Sequence, residues 1–109
     1  MNASLQMAES EFHERVERIL AAVEGALDDA DIDTELNGGI LTLSFENGSK
    51  VIVNRQTPNR EIWVAAKSGG FHFRLRDGAW CDTRSGQTLE KLLACVISEQ
   101  AGEPIDIAL

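Results

Sequence analysis

The chain has 109 residues, 43% of them apolar, with Asp+Glu 18 against Lys+Arg 10 and a formal net charge of −8. That length and composition fit a single folded domain over 1–109 and argue against both a second domain and an extended disordered chain. The acidic balance excludes nucleic acid and anionic membranes as natural partners and favours cations and basic protein surfaces.

Ser10 is predicted to cap a first helix, with Glu11 in the first turn, where the helix dipole favours an acid. Residues 1–9 either extend that helix or fray. Phe12, Val16, Ile19, Leu20, Val23 and Leu27 form one apolar stripe about 100° wide, and the helix is expected to end near Asp29–Ala30. From Asp31 the period becomes two, with Ile32, Thr34 and Leu36 on one side and Asp31, Asp33 and Glu35 on the other. Asn37-Gly38-Gly39 then turns the chain into Ile40–Glu46, whose inner face carries Leu41, Leu43 and Phe45, and Asn47-Gly48-Ser49 turns it into Lys50–Asn54. Further strands are read at Glu61–Ala66, Phe71–Arg76 and, briefly, Ala79–Asp82. Thr88 caps a second helix carrying Leu89, Leu92, Leu93, Val96 and Ile97, which stops near Gly102 and Pro104; the tail Ile105–Leu109 is apolar enough to dock. Two amphipathic helices cover one face of such a meander. The expected fold is therefore an α+β two-layer sandwich, two helices on one face of a five- to six-stranded antiparallel sheet, with the other face wet.

The charge is unevenly placed. Residues 1–49 hold eleven carboxylates against Arg15 and Arg18, a net −9, whereas residues 50–109 are nearly neutral at +1. No apolar run approaches the roughly 20 residues needed to span a bilayer, and the first residues lack the features of a secretory signal. Cys81 and Cys95 form no C-x-x-C pair and are read as reduced thiols of a cytoplasmic protein, Cys95 as a small hydrophobe within the second helix's apolar pattern.

Several strings together resemble the frataxin family, in particular its bacterial branch. They are Ser10-Glu11-Phe12-His13, Leu27-Asp28-Asp29, Asp31-Ile32-Asp33 and Asn37-Gly38-Gly39, then Phe45-Glu46-Asn47-Gly48-Ser49-Lys50. Asn54-Arg55-Gln56-Thr57-Pro58 leading to Ile62-Trp63 is the most specific, followed by Gly69-Gly70-Phe71-His72-Phe73, Arg84-Ser85-Gly86 and Gln100-Ala101-Gly102-Glu103. The resemblance covers essentially everything from Ser10 onward. Two departures bear on metal stoichiometry: the Asp29–Asp31 connection is short, and Gly25 stands where some relatives carry an acid.

On an ideal helix Glu17, Glu24 and Asp28 fall within a wedge of about 40° beside the apolar stripe, with His13 next to it. Asp31, Asp33 and Glu35 extend this negative patch if their strand is an edge strand alongside the helix. Asp33-x-Glu35-x-Asn37-Gly38 begins like an EF-hand loop, but Ser44 stands where the bidentate Glu is required, so that motif is rejected. Oxygen ligands on an open face suit hard or borderline divalent ions, held weakly and with little selectivity. The resemblance implies iron, ferrous or ferric, at Glu17, Glu24, Asp28, Asp29, Asp31, Asp33 and Glu35, with His13 as an added ligand and other divalents competing.

Trp63 alternates with Ile62 and Val64 and is expected to face outward, as an anchor for a protein contact, with Asn54 and Gln56 as its polar rim and Arg55 and Arg60 nearby. His72 is read on the same wet face and Trp80 in the core. No nucleophile motif, phosphate-cradling glycine loop or G-x-G-x-x-G is present, so a freestanding enzyme is not expected; a weak ferroxidase activity is assigned to parts of the resembled family.

The resemblance implies a monomeric, iron-binding regulator of iron–sulfur cluster assembly. It would dock on the cysteine desulfurase, with the scaffold protein beside it, through Glu24, Asp28 and Asp31 and through Asn54, Arg55, Gln56 and Trp63. Two rival readings remain: an acidic interaction module for which iron is incidental, and iron storage by oligomerisation in excess iron.

Overall fold

Alternation of apolar and polar residues from Ile32 to Asp82 produces six strands, each pairing only with its neighbours in the chain. In the computed structural model, which describes residues 7–109, the elements run α1 (Glu9–Ala26), β1 (Asp33–Asn37), β2 (Ile40–Ser44), β3 (Lys50–Gln56), β4 (Glu61–Ala66), β5 (Gly69–Arg76), β6 (Ala79–Asp82) and α2 (Leu89–Ala101). All pairings are antiparallel, in the order β1-β2-β3-β4-β5-β6, so β1 and β6 are the edges. This is the expected two-layer arrangement with six strands.

One face of the sheet is dry because alternate residues of the middle strands are apolar. Leu41 and Leu43, Val51 and Val53, Ile62 and Val64, and Phe73 meet Phe12, Val16, Leu20, Val23 and Leu27 of the first helical segment and Leu89, Leu93, Val96 and Ile97 of α2. Phe12 also sets its ring edgewise to buried Trp80, centroids 6.2 Å apart. The tail docks as expected, with Ile107 buried and Ser98 Oγ accepting from the Ile105 amide.

Both ends of α1 differ from expectation: the helix stops at Ala26, short of Asp29–Ala30, because the steps beyond it are three-residue turns. The N-cap of α1 is Ala8, with no side-chain cap, so Ser10 lies inside the helix and the chain before it extends the helix by one residue; the rest of the 1–9 question lies outside the described residues. Ala8 still supplies the first carbonyl, accepting from Phe12 N–H at 2.9 Å. At α2 the cap is the expected one: Thr88 accepts from Lys91 N–H, and Gly102 closes the helix at φ 76. Cys95 is exposed, because the buried stripe of α2 passes through Leu92, Leu93, Val96 and Ile97 and leaves position 95 on the outer side; it is not a core hydrophobe.

Gln100 was not legible as structural, yet it is buried and fully engaged. Its Nε2 donates to Ser49 Oγ and the Lys50 carbonyl, and its Oε1 accepts from the Lys67 amide. One side chain thus ties the end of α2 to the start of β3 and to the β4–β5 connection. Gln100→Ala is expected to cost about 2 kcal/mol, since it strands several partly buried partners, and urea denaturation monitored by far-UV circular dichroism would read the loss.

Candidate functional site

The acidic ridge is assembled from the last turns of α1, the connection to β1, and β1 itself. Past Ala26 the helix tightens: Leu27 N–H bonds the Glu24 carbonyl, Asp28 N–H that of Gly25, and Ala30 N–H that of Leu27. These are three-residue steps, so Asp28 and Asp29 sit in a turn and the 100° projection does not carry to Asp28. Glu17, Asp28, Asp29, Asp31, Asp33 and Glu35 are exposed and Glu24 is half-buried.

β1 is an edge strand, as the ridge requires, but its carboxylates do not join those of the helix on one face. Register pairs Thr34 with Leu43 and Leu36 with Leu41, which puts Thr34 and Leu36 on the helix side. Asp33 pairs with Ser44 and Glu35 with Thr42, so both acids project from the opposite, wet face. The negative charge therefore wraps around the open edge rather than forming one patch. Among the described residues, no three His, Cys, Asp or Glu side chains come together as a group that could hold a metal ion.

Two further acids join the ridge by folding alone. Glu46, from the β2–β3 turn, and Glu103, beyond α2, line the same shallow cleft as Asp31. Sequence order separates all three; only the closing of the sheet and of α2 brings them to one end. The two bases of the acidic half do little to offset the ridge, because Arg15 pairs with Glu11 at 2.9 Å and Arg18 with Glu14 at 3.6 Å along their own helix.

His13 belongs elsewhere. It lies about 16 Å along the helix axis from Glu24, and both ring nitrogens are engaged. Arg55 Nη1 is 2.7 Å from Nδ1, and Glu9 Oε2 is 3.4 Å from Nε2. A guanidinium only donates, so Nδ1 accepts and the ring proton sits on Nε2 toward Glu9. A neighbouring cation and a filled lone pair make this histidine a poor metal ligand, which corrects its assignment to the ridge.

Arg55 is likewise displaced from its expected role. It follows Val51 and Val53 on the helix side of β3, opposite the face of Asn54 and Gln56, and so does not border Trp63. Gly39 makes room for it: at φ 82, a Cβ there would lie 2.1 Å from Arg55 Nη2. Arg60 also anchors the helix start, with Nε donating to the Met7 carbonyl, Nη1 to the Thr57 carbonyl, and its guanidinium 6.0 Å from the Phe12 ring centre.

The outward tryptophan is where alternation puts it. Trp63 is half-buried, sits opposite Asn54 on β3 and His72 on β5, and stacks on the His72 ring with centroids 4.3 Å apart and planes 11° from parallel. Its Nε1–H donates to Glu61 Oε1 at 2.8 Å, and Arg74 Nη2 meets Glu61 Oε2 at 2.5 Å. Glu61 and Arg74 escaped the sequence reading, although a carboxylate two residues before the tryptophan must share its face. Ile40, 40% exposed, extends the Asn54–Trp63–His72 row toward the β1–β2 turn, where Leu36 is 46% exposed on the other face. A cleft of about 440 Å³ lies apart from both surfaces, between α1, the β5–β6 turn and the start of α2, over Ile19, Trp80 and Leu89.

The family profile described as a frataxin-like domain matches residues 5–103. The chain belongs to the frataxin family. It is 55% identical over 104 residues to the iron–sulfur cluster assembly protein CyaY of Paraburkholderia phymatum, covering 94% of this chain and 99% of that protein. The protein of the same name from Burkholderia mallei is 54% identical over 104 residues, covering 91% of this chain and 96% of that one. Among solved structures, frataxin from Psychromonas ingrahamii superposes with a TM-score of 0.88 at 35% identity, over 94% of this chain and 100% of that chain. Trimeric frataxin from Saccharomyces cerevisiae, solved complexed with ferrous iron, gives 0.70 at 28% identity, over 90% and 91% of the two chains. Among the described residues, no helix is long and apolar enough to cross a membrane.

Gly39→Ala is expected to lose about 1–2 kcal/mol from the left-handed backbone alone and to push Arg55 off His13. Thermal unfolding would report the first effect and a shift of the His13 ring resonances the second.

Proposed function

We propose that this chain serves iron–sulfur cluster assembly in the cytoplasm, docking on the cysteine desulfurase–scaffold complex and holding iron weakly along its acidic ridge. The observation that carries the reading is 55% identity, across nearly the full length of both chains, to an iron–sulfur cluster assembly protein. The ferrous complex of the yeast relative supports iron as the cargo. Exposed carboxylate oxygens favour a hard or borderline cation and permit other divalents to compete. The two free cysteines agree with a reducing compartment.

Docking uses two surfaces in this reading. Glu24, Asp28, Asp29 and Asp31, with Glu46 and Glu103 beside them, meet a basic surface of the desulfurase. Asn54, Gln56 and Trp63 meet the scaffold. The chain acts as a regulator rather than an enzyme, and the pyridoxal phosphate of the desulfurase belongs to the partner. Bound iron is either delivered or sets the rate of the desulfurase by its presence.

Two observations favour variants of this reading. The acids of the described residues are spread around an edge and form no group of three placed to hold a metal ion, which suits a docking module for which iron is incidental. The trimeric yeast relative suits iron-driven oligomerisation.

The triple substitution Asp28→Lys, Asp29→Lys, Asp31→Lys is expected to weaken desulfurase binding at least tenfold at low salt, and to flatten its salt dependence. Calorimetry with and without ferrous iron separates the readings: a larger loss with iron supports an iron-linked role, whereas equal losses select simple docking. Light scattering that stays monomeric in aerobic iron excess would remove storage.

A further inference from the structure

Glu61 is 5% exposed although it lies on the outward face of the sheet, two residues before Trp63. A carboxylate is tolerated there only with partners, and it has one for each oxygen: the Trp63 indole N–H on Oε1 and the Arg74 guanidinium on Oε2. The three side chains are thereby one unit, with Glu61 beneath and the other two reaching outward. The Arg74 side chain is 57% exposed and spends one nitrogen on Glu61, so most of its five donors remain for a ligand.

The surroundings give this unit a sign. His72, Arg74 and Arg76 take the outward positions of β5, while Asp33 and Glu35 take those of β1. Four strand spacings, about 19 Å, separate the two rows. The wet face is basic on one side and acidic on the other, with Trp63 nearer the basic row, a polarity hidden by a net charge of −8.

We propose that Glu61 is a positioning residue that fixes the Trp63 indole and the Arg74 guanidinium as a single docking unit, whose partner is a protein surface carrying a carboxylate beside an apolar socket. Arg74 donates to the carboxylate as a planar fork while the open part of the half-buried indole meets the socket. Holding both side chains before encounter removes the entropy that two free rotors would lose on binding. This inference rests on the reading of the sheet face as a docking surface.

The test is a set of binding cycles against the desulfurase–scaffold complex, with the ¹⁵N-indole signal of Trp63 recorded in the free protein. Glu61→Gln retains an acceptor for the indole but turns an amide toward Arg74. Glu61→Gln is expected to weaken binding about tenfold, and Arg74→Glu more than that. In a Trp63→Phe, Arg74→Ala background, Glu61→Gln should have no further effect, and in the free protein it should speed exchange of the indole proton. Equal losses in both backgrounds would mean that Glu61 touches the partner itself, which overturns the positioning role. Unchanged indole exchange and unchanged affinity for Glu61→Gln, while Trp63→Phe and Arg74→Ala each weaken binding, would overturn it while leaving the docking face intact. If Trp63→Phe and Arg74→Ala leave affinity untouched, the docking reading itself fails, and the proposal with it. A concentration-dependent dimer of the free protein that Arg74→Glu abolishes would assign the face to a second copy and likewise overturn it. Unfolding midpoints of all variants, together with Arg74→Lys, which keeps the charge and loses the fork, guard against a loss that is only unfolding.

Discussion

The structure depends on burial of one face of an antiparallel meander. Once Leu41, Leu43, Val51, Val53, Ile62, Val64 and Phe73 are committed to the helices, the period of two leaves their neighbours no choice of side. Asn54, Trp63, His72 and Arg74 face outward because Val53, Ile62, Val64 and Phe73 face inward. The presentation of the outward face is thus enforced by the core. A one-residue slip in β4 would turn Trp63 and Glu61 toward the helices and expose Ile62 and Val64 together, so the same hydrophobic burial that stabilises the fold also guards the register of its surface.

What could be read beforehand followed from local periodicity. β4 and β6 have the expected limits, the Thr88 cap and Gly102 stop are in place, and the outward tryptophan is where alternation required. What could not be read depends on meetings between distant segments. His13 and Arg55 are 42 residues apart, and only the packing of α1 against β3 shows that they share a bond. Glu46, Glu103 and Asp31 likewise converge through the fold. The ridge illustrates both cases: its acidity is plain in composition, but its division between two faces follows from the pairing of β1 with β2. The Glu61–Arg74 pair lies between these extremes, because the β4–β5 register implies it, yet the register must be known first.

Electrostatics and packing are kept largely apart in this chain. The helix arginines are satisfied within their own helix, Arg55 and Arg60 are spent on joining the start of α1 to the sheet, and among the described residues no basic residue pairs with the ridge. Concentrating uncompensated charge on one edge costs some stability through repulsion, and that cost falls when a cation or a basic surface arrives. Binding at the ridge is therefore coupled to stability without any conformational change. The opposite side of the wet face carries bases, so a partner approaching the sheet meets a direction as well as a charge.

β1 also faces a hazard common to all open sheets. Its outer side offers unpaired main-chain groups, and a second chain could extend the sheet there in the manner of a growing fibril. Asp33 and Glu35 stand on that strand, and two such edges brought together would oppose acid to acid. The acids that give the edge its negative charge thus also set like charges against edge-to-edge pairing of two molecules.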